Sequence, residues 1–474
     1  MTRVRTRTDK KQDTQTLGSA RIPRTPFTRE MKKDYTILIP MMAPIHFSLL
    51  KHILTNHGYH VELLENNNRS VVEEGLKYVH NDTCYPAMLV IGQLLDALKS
   101  GKYDLSKTAL MMSQTGGGCR ASNYIFLLRR ALKKAGFSQI PVVSLNVSGM
   151  EKNSGFRLTL PLLYQMMIAL VYGDGLMALS NQVKAYEREK GSAAILVDRW
   201  VAGLADQFDR QKGFIVSEMK ENFRAMVADF RLVPCERKPK VRVGIVGEIY
   251  VKYASLGNNN LEDFLASQDC EVMVPGLLDF VLYTINGPPE NSRLYGGDNV
   301  KALAYEAVLR YIARMQRIMI EAIEACPFFE APSPFAHTRS LTEGVIGLGC
   351  NMGEGWLLTA EMLELVEKGY ANIVCTQPFG CLPNHICGKG MIRKIRETNA
   401  SANIVAIDYD PSATRVNQEN RIKLMLSVAK ENLLREQETN NKRHSPDAHA
   451  PGWLEKDLYG SLGRLLPHPS QTQC

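Results

Sequence analysis

Short apolar runs alternate with helical patterns along most of the chain, which is typical of βα units that build parallel sheets. The runs fall into two series. The first series predicts strands at Tyr35–Pro40, His60–Leu64, Ala109–Ser113 and Pro141–Val147, and the second at Lys240–Gly247, Glu271–Val274, Ala371–Cys375 and Asn403–Ile407. The pattern therefore predicts an α/β fold with two doubly wound, Rossmann- or flavodoxin-like parallel-sheet domains.

Helical periodicity fills the gaps between these strands, as at Pro86–Lys99, where proline stands in the first turn, and at Ala121–Ala135. A charged helical stretch without strand patterns separates the two series. We expect a basic, disordered arm (1–30), a first α/β domain (31–180), a helical connector (181–237), a second α/β domain (238–435) and a disordered tail (436–474).

Composition supports a globular protein of several domains, because 45% of the 474 residues are hydrophobic and 22% are charged. The net charge is +8, and residues 1–33 alone carry ten Lys/Arg against three Asp/Glu. The body is therefore nearly neutral, which argues against nucleic-acid binding. The most apolar run, Leu158–Tyr172, is shorter than the ~20 residues of a membrane span, and no apolar leader follows the start. We expect a cytoplasmic protein without a membrane segment.

Ten cysteines without a secretory signal indicate buried thiols, metal ligands or redox chemistry rather than disulfides. Cys119 follows the glycines Gly116, Gly117 and Gly118 between a predicted strand end and a helix start, where α/β sheets bind ligands. The helix N-terminus is expected to lower the pKa of this thiol. The alternative is a phosphate-binding glycine loop in which the cysteine is incidental.

Further cysteines stand at similar places. Cys84 precedes the helix that begins near Pro86, where a thiolate is again favoured, although a buried structural cysteine explains it equally well. Cys375, Cys381 and His385 lie where the strand Ala371–Cys375 runs into a Gly/Pro-rich loop. Such loops can hold an iron–sulfur cluster if their thiolates converge in space. A Cys381–His385 hydrolase pair lacks an orienting partner, and His385 is more simply a hydrogen-bonded loop residue.

Two further features carry weaker signals. The glycine-rich stretch Val345–Trp356, which contains Glu354, is expected to follow a strand, but it lacks the register of a dinucleotide-binding loop. Glu248 follows another predicted strand end, where a ligand could lie.

Several phrases together resemble one family, the acyl-CoA dehydratase activase-related proteins of the 2-hydroxyacyl-CoA dehydratase superfamily. The likeness is greatest to the carboxy-terminal module of large fusion proteins that also carry activator ATPase domains, and it spans roughly residues 27–430. The phrases are Phe27-Thr-Arg-Glu-Met, Glu74-Gly-Leu-Lys-Tyr-Val-His-Asn-Asp-Thr-Cys-Tyr-Pro86, Gln114-Thr-Gly-Gly-Gly-Cys-Arg120, Val246-Gly-Glu-Ile-Tyr-Val251 with Asn258-Asn-Asn260, Gly353-Glu-Gly-Trp-Leu-Leu-Thr-Ala-Glu361, Gln377-Pro-Phe-Gly-Cys-Leu-Pro-Asn-His385 and Ala406-Ile-Asp-Tyr-Asp-Pro411.

The resemblance implies a [4Fe–4S] or related cluster, with the double-cubane type allowed, in an electron-transfer or reductase component. Cys84, Cys119 and Cys381 match the family's cysteine motifs, with Cys375 as the fourth expected ligand; Cys350 and Cys387 are not expected to be ligands. An ATP-hydrolysing activator of actin-like fold would be the electron donor. This chain lacks that ATPase's phosphate motifs, so it is not expected to hydrolyse ATP itself.

Two alternatives stay open. The first is a 2-hydroxyacyl-CoA dehydratase subunit, in which an acyl-CoA substrate binds an open iron of the cluster and His385 moves protons. The second is a scaffold that has the fold without the cofactor. The sequence leaves the oligomeric state open.

Overall fold

Two separate four-stranded sheets organise the chain. The computed structural model describes residues 24–443 apart from 81–82, 115–117, 147–150 and 152. The strands are β1 (Thr36–Pro40), β2 (His60–Leu64), β3 (Thr108–Ser113), β4 (Val142–Leu145), β5 (Val241–Gly247), β6 (Cys270–Met273), β7 (Asn372–Pro378) and β8 (Asn403–Tyr409). All pairings are parallel, and the orders are β2-β1-β3-β4 and β6-β5-β7-β8. The predicted fold of two doubly wound domains is confirmed.

The central strands are apolar runs because helices cover both faces of each sheet. In β7, Ile373, Val374 and Cys375 are each fully buried, although successive side chains point to opposite faces. This explains why the sequence shows continuous apolar strands rather than alternation.

Helices cover the sheets and link the domains. They are α1 (Met31–Asp34), α2 (Pro44–Asn56), α3 (Arg69–Tyr78), α4 (Tyr85–Lys99), α5 (Tyr124–Ala135), α6 (Leu160–Lys184), α7 (Ser192–Asp209), α8 (Val216–Leu232), α9 (Ile249–Tyr253), α10 (Ser255–Asn258), α11 (Leu261–Ser267), α12 (Leu277–Tyr295), α13 (Asn299–Glu324), α14 (Phe335–Ser340), α15 (Trp356–Glu367), α16 (Ile392–Thr398) and α17 (Arg415–Arg443). Short 3₁₀ turns occupy Leu105–Lys107, Arg120–Asn123 and Lys389–Met391, and a π-helical turn occupies Asn384–Gly388.

Between the two sheets the chain is helical, with α6, α7 and α8 and one isolated antiparallel bridge between Glu187 and Cys235. The second domain adds the long helices α12 and α13 between β6 and β7.

One sequence expectation is wrong in the second domain. The glycine-rich stretch Val345–Trp356 follows α14 and not a strand, so it is a loop that crosses from a surface helix into α15.

A buried polar contact joins the two domains. The carboxylate of Asp174 in α6 lies 2.7 Å from Nε2 of His46 in α2. The same carboxylate accepts the N–H groups of Leu277 and Leu278 in the first turn of α12, at 2.7 and 3.0 Å. A carboxylate there satisfies amides that have no partner within the helix. Asp174 therefore ties both domains to the central helix.

α6 is the one helix of the described residues that is long and apolar enough to cross a membrane. Most of its apolar window is buried inside the protein, which is typical of the core helix of a globular protein and fits a soluble protein. Most of the basic arm and of the tail lies outside the described residues. Within them, Phe27 is fully buried and α17 extends to Arg443.

Candidate functional site

Two of the predicted cysteines occupy equivalent places in the two domains. Cys119 follows β3, and Cys381 follows β7, which is the third strand of its own sheet in chain order. In both sheets this strand is a neighbour of the first one, and at this point the strand order reverses. Open α/β sheets bind their ligands at the carboxyl ends of the strands beside such a reversal. The two loops are therefore the expected ligand-binding edges of the two domains.

Cys84 lies directly against the loop that carries Cys381. The N–H of Tyr85 donates to the carbonyl of Phe379 at 3.0 Å, across the domain boundary. Gly380 has a φ of +75°, and a Cβ on it would lie 3.1 Å from the Cα of Cys84. Glycine at this position thus permits the close approach of the two loops.

Cys119 reaches the same place through the glycine-rich stretch. A Cβ on Gly353 would lie 3.8 Å from the Sγ of Cys119 and 3.0 Å from Cγ of Pro383, two residues after Cys381. The charge of Cys84 bears on the pKa of Cys119, and the charge of Cys119 bears on the pKa of Cys381. Three cysteines from both domains therefore gather at one interdomain site.

The pKa of each of the three thiols is raised. Burial, followed by the Glu354 charge, raises the pKa of Cys119 to about 11, although the N–H of Ala121 acts in the opposite direction. Burial also raises the pKa of Cys84, whose Sγ lies 2.8 Å from the Tyr124 hydroxyl, and that of Cys381. The expected lowering by helix N-termini is wrong, because one or two backbone N–H groups do not offset desolvation and two nearby carboxylates.

Those carboxylates are Glu248 and Glu354, which are almost fully buried beside the cysteines. Glu248 directly follows β5 and accepts the N–H of Val251 at 3.0 Å, and Glu354 accepts the N–H of Ile249 at 3.0 Å. Burial, then repulsion between the two carboxylates, raises the pKa of Glu248. The pKa of Glu354 is also raised by burial. The pair therefore favours holding a proton, as like charges in low dielectric do.

A buried ion pair lies close enough to these two acids to affect their pKa values. Lys252 donates to Oε1 of Glu361 at 2.8 Å, and the two side chains are 4% and 1% exposed. The Lys252 charge also lowers the pKa of both Glu248 and Glu354 against the larger effect of burial. Lys252 is thus the cation that balances this acidic interior.

Cys375 lies on β7 and faces a different environment. Its Sγ is 3.7 Å from Oδ1 of Asn384 and close to Gly388, inside the apolar layer under α15. Burial raises its pKa to about 12, with Asp408 as the next cause. Cys375 therefore lies only six residues before Cys381, but its side chain is among core side chains.

His385 stands at the start of the π-helical turn, with its ring exposed. Both ring nitrogens lie within hydrogen-bond distance of the side-chain amide nitrogen of the buried Gln377. The distance from that amide nitrogen to Nε2 of His385 is 3.0 Å. This is the hydrogen-bonded loop arrangement that the sequence left open beside a catalytic role.

The glycines before Cys119 are only partly visible. Gly116 and Gly117 lie outside the described residues. A Cβ on Gly118 would lie 2.6 Å from Sδ of Met352, so this glycine permits contact between the Cys119 loop and the glycine-rich stretch.

Two tyrosines at the site were missed by the sequence analysis. The hydroxyls of Tyr250 and Tyr283 are buried and have no hydrogen-bond partner among the residues that the structure describes. After burial, the charges that most raise the pKa of Tyr283 are those of Glu354, Cys387 and Cys119. Buried phenols usually have a partner, so these two mark a place where a bound group could accept hydrogen bonds. The sequence could not predict them, because a single tyrosine in an apolar pattern does not indicate that its hydroxyl lacks a hydrogen-bond partner.

In the part of the chain that the structure describes, no group of three or more His, Cys, Asp or Glu side chains could hold one metal ion.

No protein-family model matches the chain, and no curated protein matches it either. The class that the fold and the site define is a two-domain α/β protein with a cysteine- and carboxylate-lined interdomain site.

Proposed function

We propose that this protein binds an iron–sulfur cluster between its two domains and serves as an electron-transfer or reductase component related to the 2-hydroxyacyl-CoA dehydratases. The observation that carries the proposal is the gathering of Cys84, Cys119 and Cys381 from loops of both domains at facing sheet edges.

In this proposal the three thiols are ligands, and Cys375 is the fourth candidate. A bound cluster supplies one-electron chemistry. Binding would also remove the thiol protons, because a ligating thiol is deprotonated. The buried carboxyls Glu248 and Glu354, whose pKa values are raised, can hold a proton beside the site.

The partner in this proposal is a separate ATP-hydrolysing activator of actin-like fold, which would supply electrons. We place the protein in the cytoplasm, where a reducing environment keeps thiol ligands available. The activator derives from the family resemblance, whose motifs contain Cys84, Cys119 and Cys381, and the location derives from the scattered cysteines.

Anaerobic purification tests the proposal, with iron and acid-labile sulfide measured per chain and electron paramagnetic resonance recorded after dithionite. The variants Cys84→Ala, Cys119→Ala and Cys381→Ala should lose most of the iron. Cys270→Ala is the matched control, because Cys270 is buried, has a pKa raised to about 11 by burial, and begins β6 at the opposite edge of its sheet. Metal-free wild-type protein after anaerobic reconstitution would reject the proposal in favour of a scaffold.

Cys375→Ala decides the fourth ligand. Loss of iron comparable to that in Cys381→Ala would assign Cys375 to the cluster. Retention of the cluster with an unchanged resonance spectrum would show that Cys375 is not a ligand.

The acid pair favours a second candidate, a 2-hydroxyacyl-CoA dehydratase subunit. Removal of water from the substrate requires a group that delivers a proton to the leaving hydroxyl, and Glu248 and Glu354 favour holding one at neutral pH. Formation of an enoyl-CoA in the presence of activator, ATP and reductant would support it. Glu248→Gln should then abolish turnover while the iron content stays unchanged. The turnover of His385→Ala would show whether the histidine, rather than the acids, delivers the proton.

A further inference from the structure

The first half of α13 carries an apolar face that the rest of the described residues leave uncovered. Its positions follow one another at steps of one, three and four residues, so they lie along one side of the helix. Val300 is 80% exposed and Leu303 is 61% exposed. We call this surface the outer face of α13, and its six exposed members are Val300, Leu303, Ala304, Ala307, Val308 and Tyr311.

The opposite side of the same half of the helix already has a partner. Ala302, Tyr305 and Leu309 lie on that side and are half-buried, and α13 packs against α12. The outer face is therefore a second apolar side of α13, apart from the one that joins the core. A contiguous exposed apolar surface of this kind marks a site of protein interaction.

The order of the residues along the outer face is that of a self-complementary surface. The six positions are symmetric about their midpoint, with Ala304 and Ala307 at the centre and Val300 and Tyr311 at the ends. If a second copy of the helix packs antiparallel across a two-fold axis at this midpoint, Ala304 lies opposite Ala307 of the second copy, and Val300 lies opposite Tyr311 of the second copy. A two-fold interface requires this reciprocity of contacts.

Large residues of the face then lie beside small ones. In the antiparallel pair, Leu303 is within one residue, or about 1.5 Å along the axis, of Ala307 of the second copy, and Val308 is equally close to Ala304 of the second copy. The alanines leave room for the larger side chains, so the two helices can approach to the usual 8–10 Å between axes. The occupant that fits the outer face is therefore a second copy of this chain.

Charged residues beside the face favour the antiparallel direction. Lys301 and Arg310 are exposed. In the antiparallel pair each of them is about 13.5 Å along the axis from its own copy, whereas a parallel pair would place like charges at the same height. Glu306, which is near the midpoint, is already paired with Arg293 at 3.1 Å.

Exposed apolar side chains extend the face at both ends. Leu294 and Tyr295 end α12 next to the start of α13, and they are 51% and 73% exposed. Leu160 is 82% exposed at the start of α6, and the ring of Tyr164 in the same helix lies 6.3 Å from that of Tyr311. An antiparallel pair brings the first of these ends against the second. A standard interface buries about 800 Å² per partner, and these residues would form its apolar core.

We propose that the outer face of α13 is the interface of a homodimer, in which the α13 helices of two copies pack antiparallel across a two-fold axis. The dimer would also support the interdomain site. The side-chain amide of Asn351 donates to Oδ1 of Asn291 in α12 at 2.7 Å, and a Cβ on Gly349 would lie 2.6 Å from the Tyr295 hydroxyl. The glycine-rich stretch beside Cys119 thus rests on the helix end that the dimer holds. The inference does not depend on a cluster.

Sedimentation velocity of the full chain over a range of micromolar concentrations tests the inference. The wild type should sediment as a dimer of about 106 kDa, twice the 53.1 kDa of one chain. Ala307→Glu places an unpaired charge at the centre of the interface and should raise the dissociation constant of the dimer by about tenfold or more. Ala202→Glu is the matched control, because Ala202 is likewise an exposed alanine within a helix, α7. Circular dichroism establishes that both variants are folded.

Disulfide cross-linking tests the direction of the helices. Val300→Cys and Tyr311→Cys chains that are co-expressed and mildly oxidised should give a covalent dimer with one chain of each kind. Neither variant alone should cross-link above the wild-type background, because each position is then about 16 Å along the axis from its own copy. The inference is overturned if the wild type stays monomeric at the highest concentration, if Ala307→Glu dimerises as tightly as the wild type, or if each cysteine variant cross-links to itself as readily as to the other.

Discussion

Replacement of Lys252 by methionine is the sharpest test of the buried charge arrangement beside the cysteines. Methionine keeps the length and the apolar stem of the side chain and removes the ammonium group. Glu361, which is 1% exposed and 2.8 Å from that ammonium, is left without its partner. Glu248 and Glu354 also lose the charge that lowers their pKa.

The expected cost follows from the burial of both partners. Removing one member of a buried ion pair leaves an uncompensated charge and costs about 3–5 kcal/mol. This corresponds to a rise of roughly two to four powers of ten in the unfolding equilibrium constant. Replacing both members by apolar residues removes the unpaired charge, so Lys252→Met/Glu361→Met should recover most of the loss.

The cost also depends on pH. Burial raises the pKa of Glu361 even with Lys252 present, and loss of Lys252 raises it further. A carboxyl whose pKa is higher in the folded than in the unfolded state stabilises the fold when it is protonated. That stability is lost as pH rises from the unfolded pKa toward the folded one. The variant should therefore be closest to the wild type near pH 5 and furthest from it near pH 8.

Equilibrium urea unfolding at pH 5 and pH 8 measures this difference through tryptophan fluorescence, to which the buried Trp356 contributes. Lys220→Met serves as the control, because this lysine on α8 is exposed and its replacement should change the free energy of unfolding by less than about 0.5 kcal/mol. A loss below about 1 kcal/mol in Lys252→Met at pH 8, or a loss that shrinks as pH rises, would refute the reasoning.

Three further predictions concern close packing and buried hydrogen bonds. Gly92→Ala should destabilise the protein by about 1–3 kcal/mol in urea unfolding, because its Cβ would collide with the backbone of α3. Gly203→Ala, on the open face of α7, should instead stabilise the protein by about 0.5–1 kcal/mol. Asp174→Asn should lower the free energy of unfolding by about 2 kcal/mol, since a buried carboxylate that accepts three hydrogen bonds becomes neutral; an unchanged urea midpoint would contradict this. Gly380→Ala should reduce iron per chain under the proposed function, because φ is +75° and the Cβ would press on Cys84; full iron content would argue against that geometry.

The two sheets could be predicted from the sequence because their central strands are buried on both faces. Runs such as Lys240–Gly247 and Asn403–Ile407 match β5 and β8 to within about two residues. The long helices between β6 and β7 were harder to foresee. α12 contains Pro288 and Pro289, which in sequence signal the end of a helix. In the structure this segment is helical and packs against α13 and α6.

The raised pKa values of the thiols could not be predicted from neighbouring residues. Cys119 stands at a helix start, which by itself favours a thiolate. Burial and the carboxylate of Glu354, from a loop more than two hundred residues away, reverse that preference.

The sequence by itself determined the fold class and the loops in which the chemistry could lie, because strand patterns and glycine or cysteine positions are local. The tertiary structure alone decided which of those cysteines meet. Cys84, Cys119 and Cys381 share an interdomain site, while Cys375 faces the core under α15. It also decided that Glu248 and Glu354 lie beside the thiols. The physical reason is that convergence and burial are set by the docking of two domains, a long-range property that no short stretch of sequence contains.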